Sequence, residues 1–132
     1  MIAFFDASAL IYLIEGKEPF ASKVRREIAA VARRHPDLGS AVWLECRVVP
    51  MKASDHALLA AFDAFFVRPD VVWVELTREV VELAAAIRAK HGLRTPDALQ
   101  AASCLQLATD HLFLTGDAAF KRVAGLNVKA LA

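Results

Sequence analysis

Four acidic residues set far apart along the chain, Asp6, Glu45, Asp97 and Asp117, are the positions with the most chemistry to offer. Asp6 and Asp117 each end an apolar run, Glu45 lies among apolar neighbours, and Asp97 sits in the segment Thr95-Pro96-Asp97. Two bare carboxylates 4 Å apart repel by about 4 kcal/mol at an effective dielectric near 20, so a cluster of them must take up protons or hold a cation. Oxygen donors without His or Cys favour a hard ion, Mg2+ or Mn2+. Such an ion keeps several waters, lowers the pKa of one of them and neutralises charge growing on a phosphate. Arg94, Lys121 and Arg122, each close in sequence to an acid, are the candidates for contacts to flanking phosphates.

Each acid also has an ordinary structural use. Asp6 or Ser8 can cap a helix, Asp97 suits a first turn, Asp117 can initiate a helix at Ala118, and Glu45 can be a surface residue. Asp37, Asp63 and Asp110 read as turn or solvated acids. What separates the two readings is whether the four reach one place.

The elements that would bring them there can be read in order. Residues 2–5 are wholly apolar, as suits a strand buried on both faces, and 7–14 begin a helix. After the break at 15–19, Phe20, Val24, Ile28 and Val31 recur at helical spacing, with Lys23, Arg25, Arg26, Arg33 and Arg34 on the other faces and His35-Pro36 as the stop. Residues 38–41 read as a short, weak second strand. A helix over 42–52 carries Glu45, and Asp55 opens another, whose stripe of Leu58, Leu59, Phe62, Phe65 and Phe66 suits either the core or a face between two copies.

Residues 71–74 read as the third strand, and a helix follows from its cap at Thr77 to its stop at Gly92. Thr95 as cap and Pro96 at the first helical position start a small-residue helix expected to run to about Thr109. Residues 112–115 form the fourth strand and 128–131 a fifth. Alternating strands and helices predict one α/β domain over 1–132, three-layer α/β/α with a central parallel sheet of four or five strands. In such a sheet Asp6 and Asp117 lie at the carboxyl edge, Glu45 follows strand two, and a helix running back along the sheet brings Asp97 to the same edge.

Composition narrows the class. Sixteen Lys and Arg against fifteen Asp and Glu leave a net charge of +1, so any affinity for phosphate must be local. Hydrophobic content of 57% and a mean hydropathy of +0.39 predict more apolar surface than one small core hides, and so a partner or a second copy. Cys46 and Cys104 fit no metal pattern and read as two reduced thiols of a cytoplasmic protein. Neither a membrane span nor a signal peptide is expected.

The Asp6-Ala7-Ser8 start, Glu45 on the helix after strand two, Arg94-Thr95-Pro96-Asp97-Ala98 opening a small-residue helix, and Leu114-Thr115-Gly116-Asp117 near the end together resemble the PIN domain, specifically the VapC-type toxins of toxin–antitoxin pairs. The resemblance spans essentially the whole chain. It implies a Mg2+- or Mn2+-dependent endoribonuclease cutting structured RNA such as transfer or ribosomal RNA, usually dimeric, and silenced by a cognate antitoxin whose tail blocks the active site. By position it makes Asp6 and Asp97 the principal metal ligands, has Glu45 and Asp117 complete the acidic set directly or through water, and gives Ser8 and Thr115 supporting hydrogen bonds. An aspartate-nucleophile phosphatase needs a second acid two residues after Asp6, where Ser8 stands. The non-enzymatic alternative is an inactive protein of the same fold acting as a binding module.

Overall fold

The computed structural model describes residues 1–31 and 36–132, so the expectations for Arg33, Arg34 and His35 lie outside the described residues. Five parallel strands make one sheet: β1 (Ile2–Phe5), β2 (Pro36–Gly39), β3 (Val72–Val74), β4 (His111–Thr115) and β5 (Val128–Ala130), in the order β3-β2-β1-β4-β5. The helices come in pairs: α1 (Ala7–Glu15) with α2 (Phe20–Ala30), α3 (Ser40–Lys52) with α4 (His56–Phe66), and α5 (Arg78–His91) with α6 (Thr95–Leu105).

Successive side chains of a strand point to opposite faces, and β1 uses both. Ala3 and Phe5 enter a core with Leu10 of α1, Val24 of α2, Cys46 of α3 and Phe62, Phe65 and Phe66 of α4. Phe4 enters the opposite core with Val80, Ala84 and Ile87 of α5 and Ala98, Ala101 and Ala102 of α6, its ring stacked on Phe113 at 5.7 Å. The three-layer parallel architecture is therefore as expected, with the fifth strand present. The small-residue face of α6 does what its size allows: a Cβ at Gly39 would lie 3.0 Å from Ser103 Oγ, so helix and strand nearly touch.

Several boundaries differ from the sequence reading. The second strand is Pro36–Gly39, two residues earlier than expected; Pro36 is its first residue, where a missing N–H is tolerated, and pairing with β1 and β3 makes a strand of residues with little strand preference. Asp37, expected in a turn or in solvent, lies buried within that strand. Thr95 is the first residue of α6 and not its cap, because its hydroxyl accepts from Arg88 Nε at 3.1 Å while Arg94 takes the cap position. The helix ends at Leu105, and Ala108 has a left-handed backbone at φ 49°.

The caps at Asp55 and Thr77 accept from Leu58 N and Val80 N, and Gly92 closes α5 with φ 69°. The aromatics of α4 resolve as core. Much of the exposed apolar surface lies on α3, where Leu44, Val49 and Met51 are 67%, 71% and 59% exposed. Both cysteines are buried and free. Among the described residues no helix is long and apolar enough to cross a membrane.

Candidate active site

Strand order reverses at β1, whose neighbours are β2 on one side and β4 on the other, and that switch point opens a crevice at the carboxyl ends of the strands. Asp6 stands there. Its N–H continues the ladder to Leu114 O at 3.1 Å, and its extended backbone turns the chain into α1. As the cap of α1 its Oδ1 accepts from Ser8 N at 3.2 Å, and Oδ2 accepts from Ser8 Oγ at 2.9 Å and from Thr115 Oγ1. The cap function is real, and the three donors hold the carboxylate in one orientation. Burial nonetheless pushes the pKa of Asp6 up, against those hydrogen bonds and with a contribution from the charge of Asp97.

Ser8 and Thr115 brace more than Asp6. Ser8 Oγ accepts from Gly116 N at 2.8 Å, and Thr115 Oγ1 accepts from Asp117 N at 3.0 Å, so β4's exit is tied to the start of α1. Gly116 fits for lack of a side chain: a Cβ there would lie 2.5 Å from Tyr12 Oη.

Asp97, in the first turn of α6, is 9% exposed, and its Oδ2 accepts from Arg94 Nε at 3.3 Å. Glu45, half-buried on α3, is pushed up to about 7, first by burial and then by the charges of Asp6 and Asp97, with Arg94 and a hydrogen bond from Gln100 opposing. Three acids from β1, α3 and α6 thus feel one another at one edge of the sheet.

Asp117 stands apart. It is exposed, and its Oδ1 accepts from Ala119 N at 2.8 Å, capping the short 3-10 turn Ala118–Arg122. Its link to the other acids is its backbone, through Thr115. Lys121 and Arg122 are exposed on that turn, with Arg122 Nη1 donating to His91 O at 3.3 Å, whereas the Arg94 side chain, 80% exposed, is paired with Asp97.

Gln100 was not anticipated. It lies one turn beyond Asp97 on the same face of α6, is 1% exposed, and joins two other elements. Its Oε1 accepts from Ala7 N at 3.1 Å, and its Nε2 donates to Glu45 Oε2. The available signal was spacing: a polar residue three positions after an acid, inside an otherwise small-residue face.

Among the described residues no group of three or more Asp, Glu, His or Cys side chains is disposed to hold a metal ion by itself. The donor set still fits a hard divalent cation. Asp6 and Glu45 both carry raised pKa values in which the neighbouring acids take part, the donors are all oxygen, and the nearby Cys46 thiol is pushed up to about 12, mainly by burial, and so stays a thiol. Mg2+ is commonly held by one or two carboxylates with the remaining positions filled by water, which an incomplete cage suits.

Comparison with known proteins gives the same fold. A chain of the Rickettsia felis VapBC2 complex, bound to a promoter DNA fragment, superposes with a TM-score of 0.77 at 14% identity over 100% of both chains. VapC20 of Mycobacterium tuberculosis, a toxin that cleaves the sarcin-ricin loop, gives 0.75 at 18% identity over 94% of this chain and 95% of its own. VapBC-1 of nontypeable Haemophilus influenzae gives 0.72 at 16% identity over 99% and 98%. No curated protein matches in sequence. The PIN domain family matches residues 3–126, nearly the whole length, and the chain belongs to that family.

Proposed function

We propose that the protein is a Mg2+- or Mn2+-dependent endoribonuclease and the toxin of a toxin–antitoxin pair. The observation that carries the reading is the meeting of Asp6, Glu45 and Asp97 at the switch point, where burial and mutual charge raise Asp6 and Glu45. Asp6 and Asp97 would hold the cation, with Glu45 and Asp117 completing the set directly or through water. When bound, the cation supplies positive charge against a phosphodiester and acidifies a water.

The chain's own residues do the rest. Ser8 and Thr115 hold the Asp6 carboxylate in one orientation through their hydroxyls, and the Gln100 amide donates to Glu45. Arg94, tied to Asp97 through Nε, has further N–H groups to offer a flanking phosphate, and Lys121 and Arg122 stand ready on the neighbouring turn.

The substrate is structured RNA of the transfer or ribosomal kind, a reading supported by the fold shared with a sarcin-ricin loop cleaving toxin. A cognate antitoxin and a second copy of the chain are the partners, and the cytoplasm the compartment. The complexes sharing the fold and the exposed apolar residues of α3 support partner binding. The test is RNA cleavage with Mg2+ by the Asp6→Asn and Asp97→Asn variants. Loss by a factor of a hundred or more is expected, and undiminished cleavage overturns the reading. Failure of Mn2+ either to raise the melting temperature or to support cleavage favours a binding module instead.

A further inference from the structure

We propose that Gln100 is a positioning residue that locks Glu45 to the Asp6–Ala7 corner, so that the acids from β1, α3 and α6 are presented to a cation as one rigid set. The inference rests on the reading of the site as a metal centre and adds to it a residue that ligates nothing.

The direction of the Gln100 amide is set by its two partners. Ala7 N–H, at the first residue of α1, can only donate, so the oxygen of Gln100 must face it. That choice leaves the amino group pointing the other way, where it meets Glu45 Oε2. The carboxamide cannot turn over without placing two donors, or two acceptors, against each other. A buried side chain with one allowed orientation therefore relates residues 93 and 55 positions away from it.

Neutrality matters as much as direction. Lys or Arg in this place would bring a compensating charge and compete with the cation, and Asp or Glu would add a further repelling acid. An amide supplies a donor for the carboxylate of Glu45 at no net charge. Partners that orient ligands in this way typically alter metal affinity by roughly ten- to a hundredfold when removed.

The test uses the intact chain, freed of metal, and Mn2+ alone as the probe in titration calorimetry. Gln100→Met fills the same volume without either hydrogen bond, and Gln100→Asn remains polar but is too short to span both partners. Each is expected to bind Mn2+ about tenfold or more weakly, and exchange of the Ala7 amide hydrogen in the metal-free chain should quicken. Because the residue acts through Glu45, Gln100→Met should add little further loss in a Glu45→Ala background, a non-additivity that a packing role alone would not give. Should both Gln100 variants keep the unaltered Mn2+ affinity, or should the losses at Gln100 and Glu45 simply add, the inference is overturned while the metal site stands. Absence of Mn2+ binding by the unaltered chain would overturn both.

Discussion

The hydroxyl of Thr115, the last residue of β4, donates to the carboxylate of Asp6, the residue after β1, across 109 positions of sequence. The same hydroxyl accepts the N–H of Asp117 at 3.0 Å, so a single side chain in adjacent parallel strands fixes the carboxylate of one acid and the backbone of another.

Replacing Thr115 with Val should be felt in stability before it is felt in catalysis. The side chain is fully buried, and its loss leaves a buried carboxylate oxygen short of a donor. A cost of about 1–3 kcal/mol is expected, read by urea denaturation of the metal-free chain, with Thr115→Ser close to the unaltered protein.

The shift of Glu45 to about 7 gives a pH dependence with a definite sign. A carboxyl whose folded pKa lies above its ordinary value of 4.5 binds its proton more tightly when folded. Its contribution to stability is full below 4.5 and is lost as pH rises towards 7. Metal-free protein should therefore melt at a higher temperature at pH 5 than at pH 7.5, and Glu45→Gln should flatten that dependence. Saturating Mn2+ should reverse it, because the cation favours the charged form. A melting temperature of the metal-free chain that climbs steadily over this range would show that burial and the neighbouring acids do not raise Glu45.

Gly116 marks a contact that a methyl group cannot share. Its Cβ would lie 2.5 Å from Tyr12 Oη and 2.9 Å from Tyr12 Cε2, atoms of a ring stacked on Phe20 at 4.6 Å and so not easily moved. Gly116→Ala should destabilise by about 1–3 kcal/mol. Tyr12→Phe removes the nearer atom only, so partial rescue in a double-mutant cycle is the expected result.

The elements with a continuous apolar or periodic signature were legible in the sequence, and those defined by tertiary partners were not. The unbroken apolar run of residues 2–5 suits the doubly buried strand it forms, and Thr77 and Gly92 bound α5 by local chemistry. Pro36–Gly39 carries only a weak strand signal of its own, and its bounds are set by the β1 and β3 that flank it. Asp37 was misplaced with it.

At the site, the gathering of Asp6, Glu45 and Asp97 at one edge was legible because a parallel sheet dictates which strand ends coincide, and the order of the motifs pointed to the same residues. Gln100 was invisible because its role depends on which face of α6 meets Ala7 and Glu45, and helical spacing alone does not say what lies opposite. Asp117 was legible in both of its uses, and the structure takes the capping one expected for a turn starting at Ala118, its carboxylate accepting from the Ala119 amide.

The difference between Asp97 and Asp117 yields the most discriminating measurement. The one ion pair of Asp97 is to a largely exposed guanidinium, a pairing worth little in water, so Asp97→Asn should leave the metal-free chain about as stable as before. The same change should abolish the stabilisation by Mn2+, which for a ligand at a hundred times its dissociation constant amounts to about 2.7 kcal/mol. Asp117→Ala should behave in the opposite sense, losing about 1 kcal/mol through its cap while retaining most of the Mn2+-induced rise in melting temperature. If Asp117→Ala instead abolished that rise as completely as Asp97→Asn, Asp117 would have to turn away from the 3-10 turn to reach the cation.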